Sequence, residues 1–402
     1  MITSATTAKR YKDILLRSAH LSEGDLSFIQ WQAHDFSMRG MFGLEASAMS
    51  GAGHLLSFTG TDTIPAIAFL EQYYKANVEK ELVGASVPAT EHSVMCAGGK
   101  ENEYSTYERL ITKTYPKGIV SIVSDTWDLW NVVGNFLPKL KEQIMARDGK
   151  VVIRPDSGDP TTILAGHIIA QNKLFMHQYK PEVWSNFCYK EKDKFYKVKP
   201  ASLSKTGHNE TIEISAYEAK GVVECLWDIF GGTTTEKGYR MLDSHIGAIY
   251  GDSITPERAT DIMSRLINKK FASTNVVLGV GSFSYQHVTR DTYGFAVKAT
   301  YCEIDGKPVE IFKDPITDDG LKKSAKGLLA VYKNEGDGAL YLKDQATREE
   351  ANNCELELVF KDGKLVREQS LAEIRAIVSL YDPKAPEKTV KEVIKDKLEE
   401  TV

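Results

Sequence analysis

Val151-Val152-Ile153-Arg154-Pro155-Asp156-Ser157-Gly158 decides how the chain is read. Its apolar start suits a strand covered on both faces. The Arg, Asp, Ser and Gly directly behind suit an anion with its sugar or metal. The same order recurs on both sides. Ser57-Phe58 runs into Thr59-Gly60-Thr61-Asp62, residues 83–87 run into Pro88-Ala89-Thr90-Glu91-His92, and residues 119–123 run into Ser124-Asp125. Further on, residues 246–250 lead to Gly251-Asp252-Ser253, and residues 276–278 to Gly279-Val280-Gly281-Ser282. Apolar strands that each end in a polar tail predict a parallel β/α, TIM-like barrel whose C-terminal rim holds the site.

The totals bound the class. A chain of 402 residues exceeds one typical domain and accommodates a barrel plus a smaller unit. Hydrophobic residues at 42% and charged residues at 26% exclude disordered and collagen-like classes. A formal charge of −5 gives no general attraction to nucleic acid or to an anionic membrane. Cys96, Cys188, Cys225, Cys302 and Cys354 lie far apart, without zinc-type spacing, which fits a reducing compartment. The start of the chain is polar and no apolar run approaches membrane-spanning length, so a soluble cytoplasmic protein is expected.

Helical spacing predicts helices over 8–21, 64–74, 101–112, 125–140 and 161–170, and Thr255-Pro256 opens another that runs to about 268. Between 171 and 237 the pattern breaks down, and we read an insertion emerging from the barrel rim as a lid or contact surface. The barrel is placed over 1–285. A β-rich C-terminal domain follows over 286–402, with an Asp305-Gly306 hairpin turn and closing helices over 371–380 and 389–398. Several residues admit two readings. Phe36 is a core aromatic or a stacking platform; Asp62 is a helix cap or a ligand; His92 is a satisfied polar residue or a chemical one. Free N–H groups in the turn at Gly281-Ser282 could hold a phosphate, and the lysines of the C-terminal part are by default solvated.

Taken together, several segments in one order resemble the nicotinamide phosphoribosyltransferase family. They are His34-Asp35-Phe36 through Arg39-Gly40, Gly60-Thr61-Asp62-Thr63, Ser86-Val87-Pro88-Ala89 with Glu91-His92-Ser93, Val123-Ser124-Asp125, Ile153-Arg154-Pro155-Asp156-Ser157-Gly158, Gly251-Asp252, Thr289-Arg290-Asp291 and Phe312-Lys313-Asp314-Pro315. The resemblance implies a type II phosphoribosyltransferase-like barrel that converts nicotinamide and phosphoribosyl pyrophosphate into nicotinamide mononucleotide and pyrophosphate. It gives Phe36 the pyridine ring to stack on, and Asp62 the carboxamide to accept from while repelling nicotinate. Arg39, His92 and Arg154 would hold the diphosphate. Asp156 would accept from the ribose hydroxyls, with Asp125 nearby, and His92, Asp156 and Asp125 form the catalytic set. Arg154, Asp156, Gly251, Asp252, Gly281, Ser282 and Arg290 would hold the ribose and 5′-phosphate. Here the family's glycine-rich turn is followed by Ser282 and Phe283.

Magnesium would arrive with the diphosphate, and ATP could phosphorylate His92. Arg290, Lys298 and Lys313 match basic residues that enter the site from a partner subunit, implying a homodimer with shared sites. Chains of the family carry a substantial portion before the helix at Ala8, so an incomplete second domain is expected. Two rival readings stay open: a nicotinate or other pyridine phosphoribosyltransferase, and a catalytically silent remnant acting as a binding or assembly protein.

Overall fold

In a computed structural model, the described residues are 1–383 without 24, 177, 205–206, 252–253, 313–324 and 337, and the side chains of 176, 182 and 203 are not described either. They form two compact units: Met1–Val288 with the described residues from Ser370 on, and Thr289–Gln369. Among them no helix is long and apolar enough to cross a membrane.

The first unit is built on a parallel sheet of β1 (Ala33–Asp35), β2 (Gly60–Thr61), β3 (Val120–Val123), β4 (Val151–Arg154), β5 (Ile246–Tyr250) and β6 (Val276–Val280). The strands lie in the order β2-β1-β6-β5-β4-β3. Both faces of β3 and β5 are buried throughout, which is why their sequences are near-continuous apolar runs rather than alternations. Helices run back between successive strands, as parallel pairing requires. Their starts follow local capping chemistry. The Thr255 hydroxyl accepts from Arg258 N ahead of Pro256–Asn268, and the Asp159 carboxylate accepts from Thr162 N ahead of Pro160–Ala165. Tyr11, Leu15, Val133, Leu226, Ile262 and Leu266 close one core with the strands.

The stretch 83–87, read as a full strand, pairs by single bridges instead. Gly60 bridges to Ala85 at one edge of the sheet and Ser121 to Ala89 at the other. Thr61 N donates to Ala85 O at 3.0 Å and Ser121 N to Pro88 O at 2.9 Å, so one segment touches both edges. Two bonds per edge, with Pro88 unable to donate, are too few for a continuous ladder.

The insertion differs from the expectation in extent and root. Its compact part is a sheet of Ile168–Ala170, Phe187–Glu191, Lys194–Lys199 and Glu210–Ile214. The following helix Val222–Phe230 sends Val222, Val223, Leu226 and Phe230 into the main core, so residues 222–230 pack with the parallel sheet rather than with the insertion. The root lies away from the rim. Arg265, in the last turn of Pro256–Asn268, donates to Gly166 O at 2.7 Å and Asn186 Oδ1 at 3.0 Å. That helix leaves the rim after β5 and runs antiparallel to the strands, so its last turn marks the opposite end.

The described residues of the second unit contain three separate two-stranded hairpins: Tyr301–Ile304 with Lys307–Glu310, Ala330–Lys333 with Leu340–Lys343, and Phe360–Lys361 with Lys364–Leu365. The first turns through Asp305 and Gly306 at φ 51 and 72, as the sequence predicts. Its boundary differs from the expected 286–402, because Leu371–Leu380 returns to the first unit. Leu371 is buried with Ala52, Leu55 and Leu70, and the Arg375 guanidinium donates to Leu55 O, Leu82 O and Val83 O at 2.9, 2.9 and 2.8 Å. The helix expected over 389–398 lies outside the described residues.

Candidate active site

Side chains at the C-terminal ends of the strands face one end of the sheet, where a cavity of about 290 Å³ is lined by Phe36, Met38, Arg39, Asp62, Glu91, Arg154, Asp156 and Gly251. Strand alternation sorts the residues around Phe36. Asp35 is fully buried and accepts from Ser37 N at 2.9 Å, fixing the turn after β1. His34 and Phe36 point the other way, with ring centroids 4.7 Å apart. The Phe36 ring lies across a gap left by glycine, since a Cβ on Gly279 would come within 2.6 Å of it. The Arg154 guanidinium stands 5.7 Å from the ring centroid.

Asp62 does not cap the helix Pro65–Tyr74, whose N-cap is Ile64. One of its oxygens, Oδ1, lies 2.8 Å from His34 Nε2 and accepts from Ser86 Oγ at 2.5 Å. Burial alone would raise this carboxyl. The His34 hydrogen bond and charge, together with Ser86 and Arg154, outweigh burial and hold it below its ordinary value. Behind it, fully buried His54 sits 2.6 Å from the Tyr285 hydroxyl and 3.1 Å from Gly60 O, linking the helix Ser282–Gln286 to β2. Burial pushes His54 down to about 4, so it is neutral there.

Two arginines in the cavity share one carboxylate. Arg154 Nη2 lies 3.8 Å from one oxygen of Glu91, and Arg39 Nη1 lies 3.5 Å from the other. The Gln286 amide donates to Gly40 O and steadies the turn that carries Arg39.

His92 Nε2 faces Asp125 Oδ1 at 3.3 Å. Asp125 Oδ2 accepts from Asp156 N at 3.0 Å and Ser157 Oγ at 2.6 Å, so one carboxylate orients the histidine and the loop after β4 together. Under this pair the buried Tyr107 hydroxyl lies 2.8 Å from Ser124 Oγ. Neighbouring Glu103 is buried, and burial with the Asp128 charge pushes it up to about 7.

Phe36, Arg39, Asp62, Arg154, Asp156 and Gly251 thus share one cavity, with His92 and Asp125 joined to it by hydrogen bonds. Gly281 and Ser282 follow β6 at the same rim, where Ser282 Oγ occupies the space a Cβ on Gly40 would need. Arg290 and Lys298 belong to the second unit, both exposed, and Arg290 pairs with Asp291 at 3.3 Å. Asp252 and Lys313 lie outside the described residues. His34, Ser86 and Glu91 stood inside quoted motifs without an assigned role. The only sequence signal for Glu91 is its place directly before His92. Among the described residues no group of three or more His, Cys, Asp or Glu is arranged to hold a metal ion.

The chain matches the "Nicotinate phosphoribosyltransferase (NAPRTase) family" over residues 31–364. A protein named nicotinamide phosphoribosyltransferase from Acinetobacter baylyi is 45% identical over 93% of this chain and 66% of its own length. Proteins of the same name from Mycoplasma genitalium and Xanthomonas campestris pv. campestris are 34% and 30% identical, over 81% and 93% of this chain and 59% and 68% of theirs. This chain therefore spans roughly three fifths to two thirds of those relatives. With the family matched over most of its residues, the chain belongs to the nicotinate phosphoribosyltransferase family.

Proposed function

We propose that this chain carries the site of a nicotinamide phosphoribosyltransferase, converting nicotinamide and phosphoribosyl pyrophosphate into nicotinamide mononucleotide and pyrophosphate. The observation that carries the reading is an ionised Asp62 beside an aromatic face and two arginines in one cavity. A carboxylate accepts from a carboxamide NH₂ and repels a carboxylate substituent, so the amide is favoured over nicotinate. On a TIM-like barrel of the type II phosphoribosyltransferase kind, strand-end placement gives each residue a role.

Phe36 holds the pyridine ring by stacking. The bond from the anomeric carbon to the diphosphate breaks, the ring nitrogen bonds to that carbon, and the diphosphate leaves with both electrons. Arg39 and Arg154 neutralise the leaving charge, displacing Glu91 from between them. Asp156 lies where an oxocarbenium-like charge develops and accepts from ribose hydroxyls. Gly251, Asp252, Gly281 and Ser282 hold the ribose and 5′-phosphate. The acidic oxygens on the cavity wall suit magnesium arriving with the diphosphate rather than held in a protein cage. His92, with Nε2 turned to Asp125, presents Nδ1 as the nucleophile for phosphorylation by ATP. Arg290, Lys298 and Lys313 serve the site of a partner in a homodimer.

The test is product formation from nicotinamide or nicotinate with phosphoribosyl pyrophosphate and magnesium, across protein concentrations and alongside solution mass. Mononucleotide formed from nicotinamide, with specific activity rising with the dimer, supports the reading. Equal turnover of nicotinate defeats the amide assignment. No product from a dimeric sample defeats the enzyme reading.

A further inference from the structure

We propose that His34 is the positioning residue that sets Asp62's preference for an amide: it ties down Oδ1 and leaves Oδ2 to read the ring substituent. The inference rests on the nicotinamide reading above. An ionised carboxylate only accepts, so the imidazole nitrogen at 2.8 Å from Oδ1 must carry its proton on Nε2. The Ser86 hydroxyl donates to the same oxygen at 2.5 Å. Among the described residues no protein donor reaches Oδ2. Two donors on one oxygen fix the carboxylate rotamer and turn the other oxygen toward a ligand amide.

The imidazole itself is confined. Phe36 stands 4.7 Å away on one side, and on another a Cβ at Gly60 would come within 2.8 Å of Nδ1. Asp62 meets it from the end of β2, and Arg154 acts on the same carboxylate from the end of β4. The carboxylate held in this way accepts from an amide and repels nicotinate, and without the imidazole it is free to turn away from the ring substituent.

The experiment measures kcat and KM for nicotinamide and nicotinate with the full chain. His34→Gln retains an N–H donor, so it should keep the preference. His34→Ala should lower the preference about tenfold, mainly through a higher KM for nicotinamide. Gly60→Ala, which pushes the ring from behind, should reproduce that loss. A ratio unchanged in His34→Ala overturns the proposal. A chain that turns over neither substrate overturns the functional reading. The pair is then read directly, by long-range proton–nitrogen spectra of the histidines. An Nε2–H tautomer whose titration moves in Asp62→Asn supports the proposal. An Nδ1–H tautomer, or a titration indifferent to Asp62→Asn, overturns it.

Discussion

In the first unit a strand-end side chain is packed against other strands, as Phe36 is over the backbone of Gly279 and Gly251; in the second, each described strand has a single neighbour in its hairpin. Burial differs in the same way. Of the described residues in the second unit, Ala330 and Ala346 are the buried hydrophobic ones, while Leu340, Tyr341, Leu342, Phe360 and Leu365 are exposed. Placement to within an ångström requires neighbours on several sides, so the chemistry gathers where strands are flanked and buried. A lone hairpin is marginal in water.

Four measurements sharpen or break this contrast. The largest effect is expected at the rim. Arg154→Ala removes the buried cation of the diphosphate half and should lower kcat/KM by about 10²–10³-fold; a loss below tenfold in steady-state kinetics would separate the cavity from the anion. Next comes the helix that returns to the first unit. Arg375→Ala strands three carbonyls and should destabilise that docking by about 3 kcal/mol. Amide exchange should quicken over 371–380 while the hairpins keep their rates, and equal change in both units would contradict the assignment.

The third expectation concerns Glu103, whose folded value, about 7, exceeds its ordinary 4.5. Between these values the folded state binds more protons than the unfolded one, so this group's contribution to stability falls as pH rises through about 4.5 to 7 and is fully lost above. Glu103→Gln should stabilise the protein by about 2 kcal/mol at alkaline pH and by little near pH 4. Urea unfolding at both ends reads the difference, and an equal effect at both would remove the burial argument. The smallest effect belongs to the second unit. Asp305→Ala, at a positive φ, should weaken its hairpin by about 1 kcal/mol without altering exchange in β5 or β6.

Much of the first unit was legible because each buried parallel strand is an apolar run with its polar tail at the same end. That pattern located β3, β4, β5 and β6 and the polar residues that follow them at the rim. The partners of those residues were not legible. Nothing local in His34 or Ser86 points to Asp62, since contacts across 28 and 24 residues are made by the fold. The stretch at 83–90 carries a strand's composition and yet forms two bridges, because tertiary geometry gives it a partner at each edge for only a residue or two. The helix Leu371–Leu380 was legible from its periodicity, but its destination depends on Arg375 finding three carbonyls far back in the chain. The insertion's root was misjudged because Arg265 and Gly166 are 99 residues apart.

Gly279 and Gly60 act through what they lack. Each leaves a methyl-sized absence, one under the Phe36 ring and one behind His34, and neither glycine would itself exchange a hydrogen bond with a ligand. Substitution in this chain is therefore constrained at positions that a survey of ligand-touching side chains would pass over. A single added carbon at either place would tilt an aromatic plane and alter substrate choice while leaving every reacting group in the sequence. Heritable change in selectivity can thus begin in the strands, one methyl at a time, before any residue of the cavity wall is replaced.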